Sequence, residues 1–325
     1  MIRARISGTG SYAPERVMTN TDLEQLVATS DDWIRERTGI RERRIAAPGQ
    51  ACSDLGMIAA ERALKAAGVG ASELDMILVA TCTPDMPLPS TACLLQHRLG
   101  ATRAAACDIA AACCGFVYAL GMADAYVRTG LRHVLVVGSE VMSAITDWTD
   151  RNTCILFGDG AGAAVVSAFE GVGGILSTHL HSDGTLSDLI LVPGGGSRIC
   201  PSGEMLSERA QYIKMKGNET FKVAVRTLEE VARETLAAHH MEVEDLDLYI
   251  PHQANLRIIK AVADRLRLPL EKVVLNMDRY GNTSAASVPL ALDEAVREGR
   301  VKEGQLVMLG AFGAGLTWAS ALIRW

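Results

Sequence analysis

Three short segments of this chain carry the side chains that could do covalent chemistry. The first, Asp108-Ile109-Ala110-Ala111-Ala112-Cys113-Cys114-Gly115-Phe116, runs from a strand-like stretch (Ala105 to Ile109) into a helix-like one that ends at Gly130. A cysteine where a helix begins meets unpaired backbone N–H groups and the positive end of the dipole. Both favour thiolate, the form that attacks a thioester carbonyl. The small residues ahead of Cys113 allow a substrate to approach the backbone. Cys114 lies one helical step, about 100°, further round and faces a packing side or a pocket wall. The second segment, Tyr249-Ile250-Pro251-His252-Gln253-Ala254-Asn255, ends an apolar strand at a proline and then presents three polar groups. The third, Asp278-Arg279-Tyr280-Gly281-Asn282-Thr283-Ser284-Ala285-Ala286-Ser287, precedes a helix over Ala285 to Glu298. The Asn282 amide can donate to a developing oxyanion. Taken singly, each has a plainer explanation: a structural cysteine, a hydrogen-bonded histidine, a helix cap.

The elements that must position these loops repeat along the chain. Glu73-Leu74-Asp75-Met76-Ile77-Leu78-Val79 matches Asp245-Leu246-Asp247-Leu248-Tyr249-Ile250, and each follows an amphipathic helix, Ser53 to Ala67 and Thr220 to Ala238. Val127-Arg128-Thr129-Gly130 and Val296-Arg297-Glu298-Gly299 both end helices with glycine at the left-handed capping position. Strands follow at Val134 to Gly138 and Leu306 to Gly310. The offset stays near roughly 170 residues, which means two similar α/β halves and not a solenoid of short units. We expect halves at 1–172 and 173–325, packed face to face, with loops at strand–helix junctions of both meeting at one site.

Two glycine-rich stretches do not support a nicotinamide cofactor. Gly8-Thr9-Gly10 is followed by Pro14 and no helix before about Thr21, and Gly158-Asp159-Gly160-Ala161-Gly162 runs into a strand. The eight cysteines form no Cys-x-x-Cys pair, so most read as small buried hydrophobes in a reducing compartment and no metal is expected. A net charge of −6 argues against nucleic acid but leaves room for a local basic patch. No apolar run is long enough to span a membrane, and Met1-Ile2-Arg3-Ala4-Arg5 lacks the core of a signal peptide, so the cytoplasm is expected. With 49% hydrophobic but only 5% aromatic residues, the composition suits close helix-on-sheet packing.

Taken together, Ala110 to Cys113, Pro251 to Asn255 and Gly281 to Ser287 resemble β-ketoacyl-acyl carrier protein synthase III. The resemblance runs nearly end to end. It takes in Thr29 to Ile34 with Arg37 to Ile40, Phe157 to Ala163, and Phe312-Gly313-Ala314-Gly315-Leu316-Thr317-Trp318. It implies a thiolase fold, two halves in a layered αβαβα arrangement, and a homodimer. It also implies that Cys113 takes an acyl group from acyl-coenzyme A, that malonyl-acyl carrier protein enters and loses carbon dioxide, and that His252 and Asn282 serve the resulting enolate. By the same resemblance the backbone N–H groups of Cys113 and Ala314 form the oxyanion hole. Trp33, Arg151, Asn218, Ala254 and Asn255 would hold coenzyme A, and Leu88 and Phe157 would shape the acyl pocket. Lys214, Arg257 and Lys260 would dock the carrier protein. No cofactor is implied beyond the coenzyme A thioester used as substrate.

Some features depart from the family. Position 114 is Cys where a small residue such as Ala is common, and position 314 is Ala within a glycine-rich turn. Leu88 matches a loop that crosses the dimer to close the partner's pocket. The stretch from Pro193 to Arg209 is long, rich in glycine and charge, and expected to form a mobile flap. Three alternatives stay open: a related condensing enzyme of a secondary-metabolite pathway, an acyltransferase that works without decarboxylation, and a non-catalytic acyl- or carrier-binding subunit.

Overall fold

The structure is a computed structural model that describes residues 2–325. Its strands are β1 (Ile2–Tyr12), β2 (Arg16–Thr19), β3 (Glu42–Ile45), β4 (Met76–Ala80), β5 (Ala105–Ile109), β6 (His133–Glu140), β7 (Gly160–Glu170), β8 (Gly174–Ser182), β9 (Ile190–Leu191), β10 (Lys214–Met215), β11 (Leu248–Pro251), β12 (Leu306–Gly313) and β13 (Thr317–Arg324). Its helices are α1 (Asn20–Glu24), α2 (Asp31–Thr38), α3 (Cys52–Ala67), α4 (Thr91–Leu99), α5 (Gly115–Arg128), α6 (Arg151–Cys154), α7 (Gly203–Ser207), α8 (Gly217–Ala237), α9 (Leu256–Leu266), α10 (Met277–Tyr280) and α11 (Ser287–Arg297).

The duplication expected from the sequence is written into the sheets. One runs β1-β7-β6-β4-β5 and the other β8-β13-β12-β11, so four strands recur in the same order. The pairings agree as well: β4/β6 and β11/β12 are parallel, while β6/β7, β12/β13, β1/β7 and β8/β13 are antiparallel. A short 3-10 turn precedes both β4 and β11. The first sheet has one extra strand, β5, at its edge.

Helices α5 and α11 lie between the two sheets and touch both, α3 and α4 cover the outer face of the first, and α8 covers the second with α9 beside it. The result is five layers, αβαβα. The middle layer is all side chain: Phe116, Val117 and Leu120 of α5 and Val288, Ala291 and Leu292 of α11 are fully buried among strands of both sheets. Truncating such a leucine to alanine costs about 2–5 kcal/mol, so the helix that follows Cys113 is firmly placed.

Close packing explains the alanine- and glycine-rich composition. A Cβ on Gly8 would lie 2.3 Å from the Ala67 backbone nitrogen, and one on Gly10 would lie 2.4 Å from the Ala59 carbonyl oxygen. The Gly-x-Gly of β1 therefore seats α3 against the sheet. The second glycine motif runs into β7, as expected. The stretch 193–209 is more tethered than a mobile flap. It carries α7, Gly194 N–H donates to the Ala210 carbonyl at 2.7 Å, and Arg209 binds the Asp147 carboxylate.

Candidate active site

Cys113, His252 and Asn282 line one cavity of about 1020 Å³. Cys113 and His252 follow the ends of β5 and β11, whereas Asn282, expected at a strand–helix junction, lies in the loop between α10 and α11 because Met277–Tyr280 is helical. Cys113 sits in a 3-10 turn, Ala112–Cys114, between β5 and α5. Ala112 has φ +45° and Ser284 φ +50°. Non-glycine residues adopt such angles only where packing over-determines them. Both flank the chemistry.

Around Cys113 the site is apolar, and burial dominates. Its Sγ donates to Ser284 Oγ at 3.5 Å, yet burial pushes the thiol up to about 12. This corrects the thiolate expected from a helix start, because loss of hydration outweighs the favourable backbone field. Cys113 therefore rests as a thiol. The turn that covers it needs glycine, since a Cβ on Gly313 would lie 2.8 Å from the Cys113 backbone nitrogen. Next in that turn, Ala314 lines the cavity, and its N–H has no partner among the described residues.

His252 follows Pro251 at the end of β11. Its backbone N–H donates to the Gly310 carbonyl at 2.7 Å, and its Nδ1 is bonded to Ser287 Oγ at 2.5 Å. Burial pushes its pKa down to about 3, so the ring is neutral. With Nδ1 taken, Nε2 is the nitrogen left for the cavity. The Asn282 backbone is clamped to the segment 156–158: its N–H donates to Leu156 O at 2.8 Å and its carbonyl accepts from Gly158 N–H at 3.1 Å. Its Oδ1 accepts from Ser284 N–H at 2.9 Å. That bond sets the amide so that Nδ2 is the free end.

Of the other residues expected at the site, Trp33, Phe157, Asn218, Ala254, Asn255 and Arg257 also line the cavity. Trp33 is set by α2, whose N-cap Ser30 accepts from the Trp33 N–H at 3.2 Å. Arg151 opens α6 and places its guanidinium 4.7 Å from the Trp33 ring centre. Asn255 caps α9 by accepting from Arg257 N–H at 2.8 Å. Leu88 is outside the cavity, 85% exposed on the loop after β4. Lys260 is exposed on α9, and Lys214 lies 3.9 Å from the Asp147 carboxylate.

Sequence reasoning missed several residues. Arg37 lies one turn after Trp33 on α2, and its guanidinium stands 4.8 Å from the same ring. Met142, Ile155, Leu156, Phe221 and Phe312 form the apolar wall. Cys82 lines the cavity too, against the expectation that cysteines other than Cys113 are buried filler. Cys93 and Cys200 are likewise exposed. The duplication held the signal for Cys82, because the loop after β4 is the first-half counterpart of the loop carrying His252. Cys114 is buried, with its thiol on the Thr317 carbonyl at 3.2 Å, and is no part of the cavity wall.

Among the described residues, no three His, Cys, Asp or Glu side chains are grouped to hold a metal ion, and no helix is long and apolar enough to cross a membrane.

Duplicated sheets, a shared middle helix layer and a half-buried cysteine that shares a cavity with His and Asn define a thiolase-like enzyme. Residues 107–184 match the family model for 3-oxoacyl-[acyl-carrier-protein] synthase III, and 236–325 match the model for its C-terminal part. The β-ketoacyl-[acyl-carrier-protein] synthase III of Alkalilimnicola ehrlichii is 57% identical over all of both chains. That of Xanthomonas campestris pv. campestris is 58% identical over 100% of this chain and 99% of its own. The crystal structure of 3-oxoacyl-[acyl-carrier-protein] synthase III from Aquifex aeolicus superposes with a TM-score of 0.93 at 49% identity, covering 99% of this chain and 100% of that one. The chain belongs to the β-ketoacyl-[acyl-carrier-protein] synthase III family, acyltransferases that initiate fatty acid synthesis.

Proposed function

We propose that Cys113 accepts an acyl group from acyl-coenzyme A, and that His252 and Asn282 then stabilise the enolate formed when malonyl-acyl carrier protein loses carbon dioxide. One observation carries this assignment of roles. Ser287 occupies His252 Nδ1 and Ser284 N–H occupies Asn282 Oδ1, so each side chain turns its remaining nitrogen to the cavity that Cys113 faces. Two neutral donors suit an enolate oxygen, which gains its charge only as the carboxylate leaves. The enolate carbon then attacks the Cys113 thioester, its oxygen held by the N–H groups of Cys113 and Ala314, and the sulfur departs with the 3-oxoacyl product formed.

Trp33, Arg151, Asn218, Ala254 and Asn255 are assigned to coenzyme A. Guanidinium groups on Trp33 give the region cationic and stacking surface for an adenine and its phosphates. Arg257 and Lys260, three apart on α9, are the better candidates for an acidic carrier protein, because Lys214 already faces Asp147. We assign homodimerisation to the edge strand β5, whose outer side is unpaired within the chain. Leu88 would then reach a partner's acyl pocket, where Phe157 forms part of the wall. We take 1–172 and 173–325 as the two halves, since β7 ends at Glu170 and β8 starts at Gly174.

The test is intact mass after mixing the protein with acyl-coenzyme A thioesters of two to twelve carbons, then malonyl-acyl carrier protein. An acyl adduct on Cys113 that disappears with release of carbon dioxide is expected, and Cys113→Ser should give no adduct while keeping the fold. An adduct retained by that variant refutes the assignment.

A further inference from the structure

One charged side chain lies wholly inside the protein beside the Asn282 clamp. Arg43, on β3, has no exposed surface. Burial pushes its pKa down to about 10, so the guanidinium stays charged at neutral pH. Its acceptors are all neutral. Nη1 donates to Asn20 Oδ1 at 2.8 Å and to the Met18 carbonyl at 3.3 Å, and Nη2 donates to the Ile155 carbonyl at 2.8 Å. Nε finds no partner among the described residues. A charge buried among neutral acceptors is costly, and an apolar side chain of similar size would avoid that cost. What the guanidinium adds is reach across two elements. Ile155 closes α6, so its carbonyl has no partner within that helix, and Arg43 supplies one. The residues that follow carry the clamp: Phe157 pairs with Asn282 as an isolated parallel bridge, with Leu156 O and Gly158 N–H bonded to the Asn282 backbone. The Arg43 stem packs against this bridge, for a Cβ on Gly158 would lie 2.9 Å from the Arg43 Cβ and one on Gly281 3.2 Å from it. At the other end, the Asn20 amide donates to Asp31 Oδ1 and to the Ile40 carbonyl, both at 2.8 Å.

We propose that Arg43 is a positioning residue for Asn282: its guanidinium ties the Ile155 carbonyl to Asn20, which fixes the segment bridged to the Asn282 backbone and so aims the amide at the enolate oxygen. This rests on the role given to Asn282 above. The planar fork holds its donors in a fixed relation, so covalent geometry sets the spacing between Asn20 and Ile155. The bond from Ser284 N–H sets the rotation of the Asn282 amide, while the bridge sets how far its backbone stands from the cavity. A donor must lie within hydrogen-bond reach of the point where the oxyanion forms, and a displacement of about 1 Å is enough to weaken it. Cys113 is held independently, by the turn between β5 and the buried helix α5. Asn20 keeps its bonds to Asp31 and Ile40 without Arg43, so α2 and its Trp33 also stay in place. Arg43 therefore serves release of carbon dioxide and not acyl transfer to Cys113.

The proposal is tested on the full chain with acetyl-coenzyme A and malonyl-acyl carrier protein. Arg43→Met keeps an apolar stem beside Gly158 and Gly281 and removes the fork. Rapid-quench mass measurement should find Cys113 acetylated within about two-fold of the wild-type rate, while carbon dioxide release falls about ten-fold. Added to Asn282→Ala, Arg43→Met should lower release by less than about two-fold more, since no amide is left to aim. A merely structural role would impose the same loss in both backgrounds. Equal losses in the two backgrounds, acetylation and release falling in parallel, or wild-type release by Arg43→Met would each overturn the proposal. Should Arg43→Met not fold, Arg43→Lys, which keeps the charge and loses the fork, is read by the same criteria. Normal release by Asn282→Ala alone would refute the enolate reading, and the role of Arg43 would fall with it. Failure of wild-type Cys113 to acylate at all would instead refute the proposed function.

Discussion

His252 should make the protein sensitive to acid in a way that can be calculated. Burial holds its folded-state pKa at about 3, against 6.5 for a solvated imidazole. In the unfolded chain the ring takes up a proton as pH falls through 6.5, whereas in the folded protein it stays neutral. Between the two values the unfolded state binds the extra proton, so stability falls as pH falls, and the loss levels off below the folded pKa. From about pH 7.5 to pH 5 this one residue should cost about 2 kcal/mol, 1.5 pKa units at about 1.36 kcal/mol each. The figure needs only a folded pKa below about 4. The assay is urea unfolding of wild type and His252→Gln at both pH values, compared as differences so that other titrating groups cancel. Wild type should lose about 2 kcal/mol more than the variant over this range. Equal losses would show that the imidazole is not held neutral, and the case for a neutral donor at the enolate oxygen would go with it.

Other expectations follow from the same geometry. His252→Ala and Asn282→Ala should still take the acyl group on Cys113 but lose about 10²–10³-fold in carbon dioxide release from malonyl-acyl carrier protein, each lacking one oxyanion donor; normal release in both would exclude the enolate role. Trp33→Ala should raise KM for acyl-coenzyme A about ten-fold with little change in kcat, since base–aromatic stacking is worth about 1–3 kcal/mol; steady-state kinetics checks this, and an unchanged KM would move the adenine elsewhere. Cys114→Ala should lower stability by about 0.5–3 kcal/mol without altering acyl-chain preference, because its thiol points to Thr317 and away from the cavity. A changed chain-length profile would contradict that placement. Gly138→Ala should fail to fold stably, as its Cβ would lie 2.3 Å from the Ala285 carbonyl oxygen; soluble protein with a wild-type melting temperature would refute it.

Local pattern determined much about this protein from the sequence alone. Apolar periodicity, capping glycines and the self-match between the segments before Val79 and Ile250 were enough to expect two like α/β halves, because these signals arise from neighbours in the chain. Cys113 and His252 were legible as candidates for a related reason: each follows the end of a strand, and such ends expose polar groups, whereas Asn282 lies in a loop between α10 and α11. What only the tertiary structure decided depends on groups distant in sequence. The resting state of Cys113 is set by burial beneath the turn at Gly313 and by a bond to Ser284, so an argument from its own helix start pointed to thiolate while packing dictates thiol. The orientation of His252 comes from Ser287, and that of the Asn282 clamp from the segment 156–158. Cys82 and Glu140 meet only when β4 and β6 lie side by side, which also brings the Cys82 thiol to within 3.8 Å of Ser284 Oγ. Periodicity reports which face of an element is apolar. Desolvation and hydrogen-bond partnership are properties of the surroundings, and those exist only once the two halves have closed on one another.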